Sequence, residues 1–132
     1  MSAKFFDLHD ENNPDNGAEL FDGSGVRALL SRNSSSQAFF AELISDHQTR
    51  LLIGLGLKIG CVQFSDLTGD PPYLVANLES EKMRSGITEF SIGNEPTEVE
   101  LRLCIPFAAL LDVAAYFVET GQRSPIVSWE EI

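Results

Sequence analysis

The chain has 132 residues, enough for one domain with its own hydrophobic core and no need of disulfides or metals. Twenty acidic and nine basic residues give a net charge of −11, and such a field repels phosphate backbones and anionic membrane surfaces. We therefore expect no nucleic-acid binding and no membrane contact. No apolar run reaches the ~20 residues of a membrane span and no secretion signal stands out, which predicts a cytoplasmic protein.

Residues 1–23 form an acidic N-terminal segment that we expect to be partly mobile. A short strand is predicted around Phe5 and Phe6. Residues 12–17 then combine asparagine, proline, aspartate and glycine, which are the residues that form turns. The segment is therefore predicted to be a strand followed by a loop.

Helical patterning follows the N-terminal segment. Asp22 is a favourable N-cap residue, and Val26, Leu29 and Leu30 then share one face at helical spacing. Residues 33–36 interrupt this helix and supply a new N-cap. A second helix is predicted beyond them, with four apolar residues on one side: Phe39, Phe40, Leu43 and Ile44. The pattern leaves open whether these are two helices or one kinked helix.

From Arg50 onward the hydrophobic period changes from about 3.6 residues to about 2, which indicates β-strands. Leu51 and Ile53 lie on one face of the first strand. Gly54 and Gly56 lie on the other face, where they allow close packing or a bend. Further strands are predicted at residues 61–64, 73–78, 88–92 and 98–103. Consecutive strands joined by short turns predict an antiparallel meander.

The clearest helix begins at Pro106 and ends before Gly121, which are favourable residues for a helix start and for the position after a helix end. Six residues form its apolar stripe: Phe107, Leu110, Leu111, Ala114, Phe117 and Val118. A short final strand is predicted at residues 125–129. The fold class is therefore α+β, an antiparallel meander packed by helices, in a single domain over residues 1–132.

No pattern of catalytic or metal-binding residues stands out, since GxSxG, HExxH and calcium-loop motifs are absent. Cys61 and Cys104 lie in apolar runs, which favours reduced core thiols over a disulfide or a metal site. Two carboxylate pairs would each share a strand face, and a solvated or partner-facing surface is favoured over a glycosidase pair: Glu79 with Glu81, and Glu98 with Glu100. We predict no enzyme, no cofactor and no metal.

Two stretches of the C-terminal part are distinctive. Residues 69–75 read Gly-Asp-Pro-Pro-Tyr-Leu-Val after a glycine-rich strand pair. The chain ends with a helix, Thr-Gly-Gln-Arg at residues 120–123, a strand and the Trp-Glu pair at residues 129–130. Together these stretches resemble the Imm1 family of immunity proteins of bacterial polymorphic-toxin systems, and the likeness extends from about Arg50 to Ile132. Trp129 itself is better explained as a core anchor than as a binding hot spot.

The resemblance implies a cytosolic protein that binds the catalytic domain of a cognate secreted toxin. The family is associated with nucleic-acid-targeting toxins, notably cytosine deaminases, and an acidic surface would block a basic substrate groove. We expect a monomer or weak dimer. The alternatives are an acidic secretion chaperone or adaptor and a small enzyme of unrecognised type. Charge and expected exposure select the candidate toxin-binding residues, which are Asp66, Asp70, Tyr73, Glu79, Glu81, Glu89 and Glu95.

Overall fold

The computed structural model describes residues 2–34, 37–81 and 83–132, in which a nine-stranded sheet carries both helices on one face. The strands are β1 (Ala3–Asp7), β2 (Glu19–Leu20), β3 (Phe39–Ser45), β4 (Thr49–Leu55), β5 (Ile59–Gly60), β6 (Val62–Asp66), β7 (Leu74–Asn77), β8 (Ile87–Ile92), β9 (Glu95–Glu100), β10 (Ile105–Pro106) and β11 (Ser128–Glu131). The helices are α1 (Gly23–Asn33) and α2 (Phe107–Thr120), with 3-10 turns at Glu79–Glu81 and Leu101–Leu103.

The strand order of the main sheet is β11-β7-β6-β4-β3-β1-β2, and all of these neighbours are antiparallel. The predicted meander, the C-terminal helix, the short strand after it and the α+β class are therefore confirmed. The β8–β9 hairpin joins the sheet through one parallel bridge, between Ser91 and Phe39. Strands β5 and β10 form a separate two-stranded sheet.

The second predicted helix is wrong, because residues 39–45 form strand β3 in the interior of the sheet. Phe39, Ala41 and Leu43 pack toward the helices, whereas Phe40 packs on the opposite face. A strand that is buried on both faces has a nearly continuous apolar run, and such a run matches helical spacing equally well. The serines at positions 35 and 36, predicted to cap the second helix, lie outside the described residues.

Both predicted helix ends beside Asp22 and Gly121 are confirmed. Asp22 Oδ1 accepts a hydrogen bond from the Gly25 amide at 2.8 Å and so caps α1. Gly121 has φ +71° and donates its amide to the Phe117 carbonyl, which ends α2. The apolar faces of α1 and α2 pack with the sheet into the larger of two hydrophobic clusters. Neither helix among the described residues has the length and apolarity to span a membrane.

The acidic loop after β1 is attached to α1 by side-chain hydrogen bonds. Arg32 binds both carboxylate oxygens of Asp15, at 2.8 and 3.1 Å, and Asn33 donates to the same carboxylate. The hydrogen bond from Arg32 is the main cause that lowers the pKa of Asp15. Asn13 reaches Asp7 and Asn33 from within the loop. These contacts fix the strand-then-loop arrangement predicted for the segment.

One strand prediction needs correction at its end, and one carboxylate pair lacks strand geometry. Glu79–Glu81 follows β7 as a 3-10 turn, so the shared strand face considered for Glu79 and Glu81 is absent. Strand β9 stops at Glu100, and Leu101–Leu103 is a second 3-10 turn rather than a continuation of the strand. The Leu101 amide bonds to the Gly86 carbonyl at 3.0 Å and continues the hairpin register by one pair, and the Cys104 amide then closes the 3-10 turn on the Leu101 carbonyl at 3.1 Å.

The second face of the sheet carries a smaller hydrophobic cluster, formed where the hairpin packs on β3 and β4. Phe40, Cys61, Phe90 and Cys104 are its buried members. The rings of Phe40 and Phe90 lie 5.4 Å apart between centroids. A Cβ at Gly54 would lie 2.8 Å from Cys61 Sγ and 2.9 Å from the Phe90 ring. The prediction that a glycine here permits close packing is therefore confirmed.

Replacing Gly54 with alanine should push the hairpin away from the sheet. We expect Gly54→Ala to lower the free energy of unfolding by about 1–3 kcal/mol, the usual cost of overpacking a core. Urea unfolding followed by circular dichroism measures this loss. Phe90→Leu frees space at the same contact, so the two substitutions together should cost less than the sum of their separate effects. Additive losses would contradict the proposed clash.

The two buried thiols should make stability fall in alkaline solution. Burial raises the pKa of Cys61 from 9.0 to about 12 and that of Cys104 from 9.0 to about 11. Above pH 9 the unfolded chain loses thiol protons that the folded protein keeps, so the free energy of unfolding should decline from pH 9 to about 11. Urea titrations across this range test the decline. A protein with both Cys61→Ala and Cys104→Ala should show a smaller slope, and an equal slope would contradict the assignment.

Candidate functional site

The predicted toxin-binding residues occupy three separate places. Strand β7 runs antiparallel to β6, so the loop after β6 and the 3-10 turn after β7 lie at opposite ends of these strands. The third group lies on the hairpin. The β6–β7 loop carries Asp66, Asp70 and Tyr73, the 3-10 turn carries Glu79 and Glu81, and the hairpin carries Glu89 and Glu95. They do not form one continuous patch.

Several polar groups of the β6–β7 loop form hydrogen bonds with one another. The Tyr73 hydroxyl donates to the Gly69 carbonyl, and the Gly69 amide donates to the Asp66 carbonyl at 3.1 Å. The Asp70 amide reaches the Thr68 hydroxyl at 3.4 Å. The carboxylates of Asp66 and Asp70 remain exposed. The loop therefore offers two charges to a partner, whereas the polar tip of Tyr73 already has an acceptor.

The 3-10 turn is less acidic than its sequence indicates. Arg84 Nη2 lies 2.6 Å from Glu81 Oε2, and both side chains are partly buried. An ion pair of this kind neutralises most of the local field that a partner would meet. Glu81 is therefore a poor source of electrostatic attraction at this place.

The β8–β9 hairpin carries exposed glutamates on both of its strands. Glu89 and Glu98 are directly opposed on β8 and β9, and Glu95 lies at the start of β9. All three are exposed, and within the described ranges none forms an ion pair with a lysine, arginine or histidine. Like charges in directly opposed positions of an antiparallel pair oppose folding. Glu89 and Glu98 share the outward face of the hairpin and we name them the hairpin acidic surface, whereas Glu95 alternates with Thr97 and Val99 and lies on the other face.

Glu98 belongs to this surface, although the sequence predicted only that it pairs with Glu100 on a solvated or partner-facing strand face. Its pairing with Glu89 depends on the hairpin register, which joins Phe90 to Thr97 and Thr88 to Val99. The turn residues Gly93 and Asn94 were a sequence signal for that register. Glu100, the other member of the pair, is bound by Arg102 at 3.0 Å.

An apolar cleft of about 320 Å³ lies between the hairpin and the uncovered face of the sheet. Ile92, Thr97 and Val99 line it from the hairpin, while Phe40 and Val75 are part of its floor. Its other lining residues are Leu52, Cys61, Val62, Gln63, Glu98, Glu100, Leu103 and Ile132. We name this feature the hairpin cleft. Its rim includes one residue of the hairpin acidic surface, Glu98.

The distinctive C-terminal residues have structural roles. Thr49 Oγ1 donates to the Gly121 carbonyl at 2.8 Å and so ties the end of α2 to the sheet. Trp129 packs edge-on against Phe64 and donates its Nε1 hydrogen to the Ser124 carbonyl at 2.9 Å. The Arg123 guanidinium lies 5.7 Å from the Phe64 ring centroid. Trp129 is therefore a core anchor, as predicted.

The described parts of the chain contain no group of three or more histidine, cysteine, aspartate and glutamate side chains arranged to hold a metal ion. His9 instead holds the hairpin, because its Nδ1–H donates to the Gly93 carbonyl. The candidate site is therefore the hairpin acidic surface together with the adjoining hairpin cleft.

Comparison with known proteins gives one informative result. The model of a family described as immunity protein Imm1 matches residues 14–131. The match begins well before Arg50, so the likeness includes α1 and most of the chain that the C-terminal motifs did not cover. A search of curated proteins found no match. The chain therefore belongs to the Imm1 family of immunity proteins, and this membership implies that it binds and neutralises a cognate toxin.

Proposed function

We propose that this protein neutralises its toxin by covering a basic substrate-binding groove of the toxin's catalytic domain with an acidic surface. The observation that carries the proposal is the Imm1 match over residues 14–131. The proposed toxin is an enzyme that acts on nucleic acid, such as a cytosine deaminase. The immunity protein acts by binding alone, as a cytoplasmic monomer or weak dimer, and performs no catalysis.

The charge of the chain supports this mechanism. An enzyme that acts on nucleic acid must attract phosphates, so its substrate groove is positively charged. A protein with a net charge of −11 is attracted to such a groove, and this attraction raises the rate of encounter. Nuclease–immunity complexes are among the tightest known, with Kd values of roughly 10⁻¹³ to 10⁻¹⁶ M. An acidic partner can therefore exclude substrate both sterically and electrostatically.

The geometry supports the hairpin as the principal contact. Glu89, Glu95 and Glu98 project from one β-hairpin and have no ion-pair partners in the described chain. Asp66, Asp70 and Glu79 are exposed elsewhere, and we propose that they add to the long-range field. Tyr73 and Glu81 make internal contacts and have a supporting role in this scheme. Direct contacts matter most because salt screens exposed charges beyond about 8 Å at physiological ionic strength.

Co-expression tests the proposed function directly. The C-terminal domain encoded by the gene immediately upstream should kill a naive bacterium when induced alone. Production of this protein in the same cells should restore survival to the level of uninduced cells, and the two purified proteins should form a stable complex. Toxicity without rescue and without a complex would contradict the immunity proposal and would favour a secretion chaperone.

Two matched double charge reversals identify the acidic surface that meets the toxin. Glu89→Lys with Glu98→Lys changes the hairpin, and Asp66→Lys with Asp70→Lys changes the β6–β7 loop by the same net charge. We expect the hairpin variant to associate at least about tenfold more slowly at low salt, with a smaller difference at high salt. Stopped-flow measurement of the association rate tests this. Equal slowing by the loop variant would contradict a principal contact at the hairpin.

A further inference from the structure

We infer that the hairpin cleft receives one large apolar side chain of the toxin, presented beside a lysine or arginine that binds Glu98. This inference rests on the proposed function, because it assumes that a toxin is the partner. It adds an anchoring pocket to the acidic surface and specifies the chemistry of the partner segment.

The cleft has the size and lining of an anchor site. Its volume of about 320 Å³ is at the lower end of the range for binding pockets, about 300–1,000 Å³. The floor is formed by buried residues of the sheet, including Phe40 and Val75, and the hairpin adds Ile92 and Val99. Interface energy concentrates where a large side chain fills such a pocket and water is excluded.

The cleft stays open because the hairpin is held along only one side. The Ser91 amide bonds to the Ala38 carbonyl at 3.0 Å and the Gly93 amide bonds to the Leu8 carbonyl at 2.9 Å, so β8 and the hairpin turn are attached. Within the described residues, strand β9 pairs with β8 and makes no ladder with β6 or β7. Protein interiors pack without such gaps, so the apolar walls of the cleft lack the neighbours that a core would supply. Ile92 consequently remains 40% exposed.

Charge identifies the kind of segment that fits. Glu98 lies at the rim of the cleft and faces Glu89 across the hairpin, and no cation of the described chain pairs with it. A partner cation at this position would relieve the repulsion between the two glutamates. The next rim glutamate, Glu100, is already bound by Arg102.

Other occupants fit the cleft less well. A second copy of the chain also carries a net charge of −11 and would place a like-charged rim against this one. A small anion would meet the same repulsion. A toxin segment with an apolar residue next to a lysine or arginine satisfies both the lining and the rim.

The test uses the full immunity protein and a catalytically inactive form of the upstream-encoded toxin domain. Ile92→Asp places a charge at the cleft, and Thr97→Phe fills it from the hairpin side. Ile87→Asp is the matched control, because Ile87 lies on the same strand, is 55% exposed and is absent from the cleft lining. Isothermal titration calorimetry gives each Kd, and thermal unfolding confirms that each variant is folded.

We expect Ile92→Asp and Thr97→Phe each to weaken binding by about thirtyfold or more, as hot-spot substitutions do. Ile87→Asp should leave the Kd nearly unchanged. Glu98→Gln should weaken binding and reduce its salt dependence, while Glu89→Gln should do so less. These results together would support an apolar anchor with an adjacent cation.

Three outcomes would overturn the inference, and they differ in whether the proposed immunity function is also contradicted. If wild type binds and protects while the folded cleft variants bind equally well, the cleft is not an anchor but the immunity function stands. If wild type neither binds the toxin domain nor protects, both proposals fail. If Thr97→Phe changes only the solution mass measured by sedimentation, the occupant is a second copy of this chain and not the toxin.

Discussion

The contact between the Phe90 ring and the backbone at Gly54 determines how the second face of the sheet is used. The helices cover the first face, so any other element must pack on the second one. A Cβ at position 54 would lie 2.9 Å from the Phe90 ring, closer than real side chains approach. The absence of a side chain there lets the ring pack beside Phe40 and Cys61. This buried contact acts together with the hydrogen bonds of Ser91 and Gly93 to hold the hairpin on the sheet.

The alternation of side chains along the hairpin then follows from that contact. Because Phe90 points into the sheet, its neighbour Glu89 points outward, and the antiparallel register places Glu98 directly opposite. The same register turns Thr97 and Val99 inward over the cleft. An acidic outer surface and an apolar inner surface thus arise on one two-stranded element. The repulsion between Glu89 and Glu98 opposes folding, while the same charges attract a basic partner.

The sequence predicted the elements whose signals are local. Asp22 and Gly121 mark helix ends through capping geometry, and both ends lie where the residue types place them. Strand β3 was mistaken for a helix because burial on both of its faces depends on distant strands, β1 and β4, and on the hairpin. Periodicity within a short apolar run cannot distinguish these cases.

The candidate site was predicted only in part, for a related reason. Charge and turn residues identified Glu89 and Glu95 as exposed, and the structure places both on the hairpin. The ion pair of Glu81 with Arg84 depends on how the chain turns after β7, and the hydrogen bond of Tyr73 depends on the turn after β6. Residue type alone therefore overestimated how free these two side chains are to bind a partner. The cleft is formed by β3, β4, β6, β7 and the hairpin together, and no single stretch of sequence carries its pattern.

The C-terminal residues that first indicated the family lie apart from the proposed recognition surface, although the family match over residues 14–131 includes both. The C-terminal residues that resemble the family build one end of the core, where Gly121 ends α2 and Trp129 and Arg123 contact Phe64. The proposed recognition surface is instead formed by hairpin residues such as Glu98 and Val99, which those motifs do not include. Phe90 is the hairpin residue that packs in the buried cluster, and the outward-facing residues of the hairpin belong to neither hydrophobic cluster of the described chain. Under the proposed function, specificity for a given toxin is set by the residues of this surface and does not require a change of the fold.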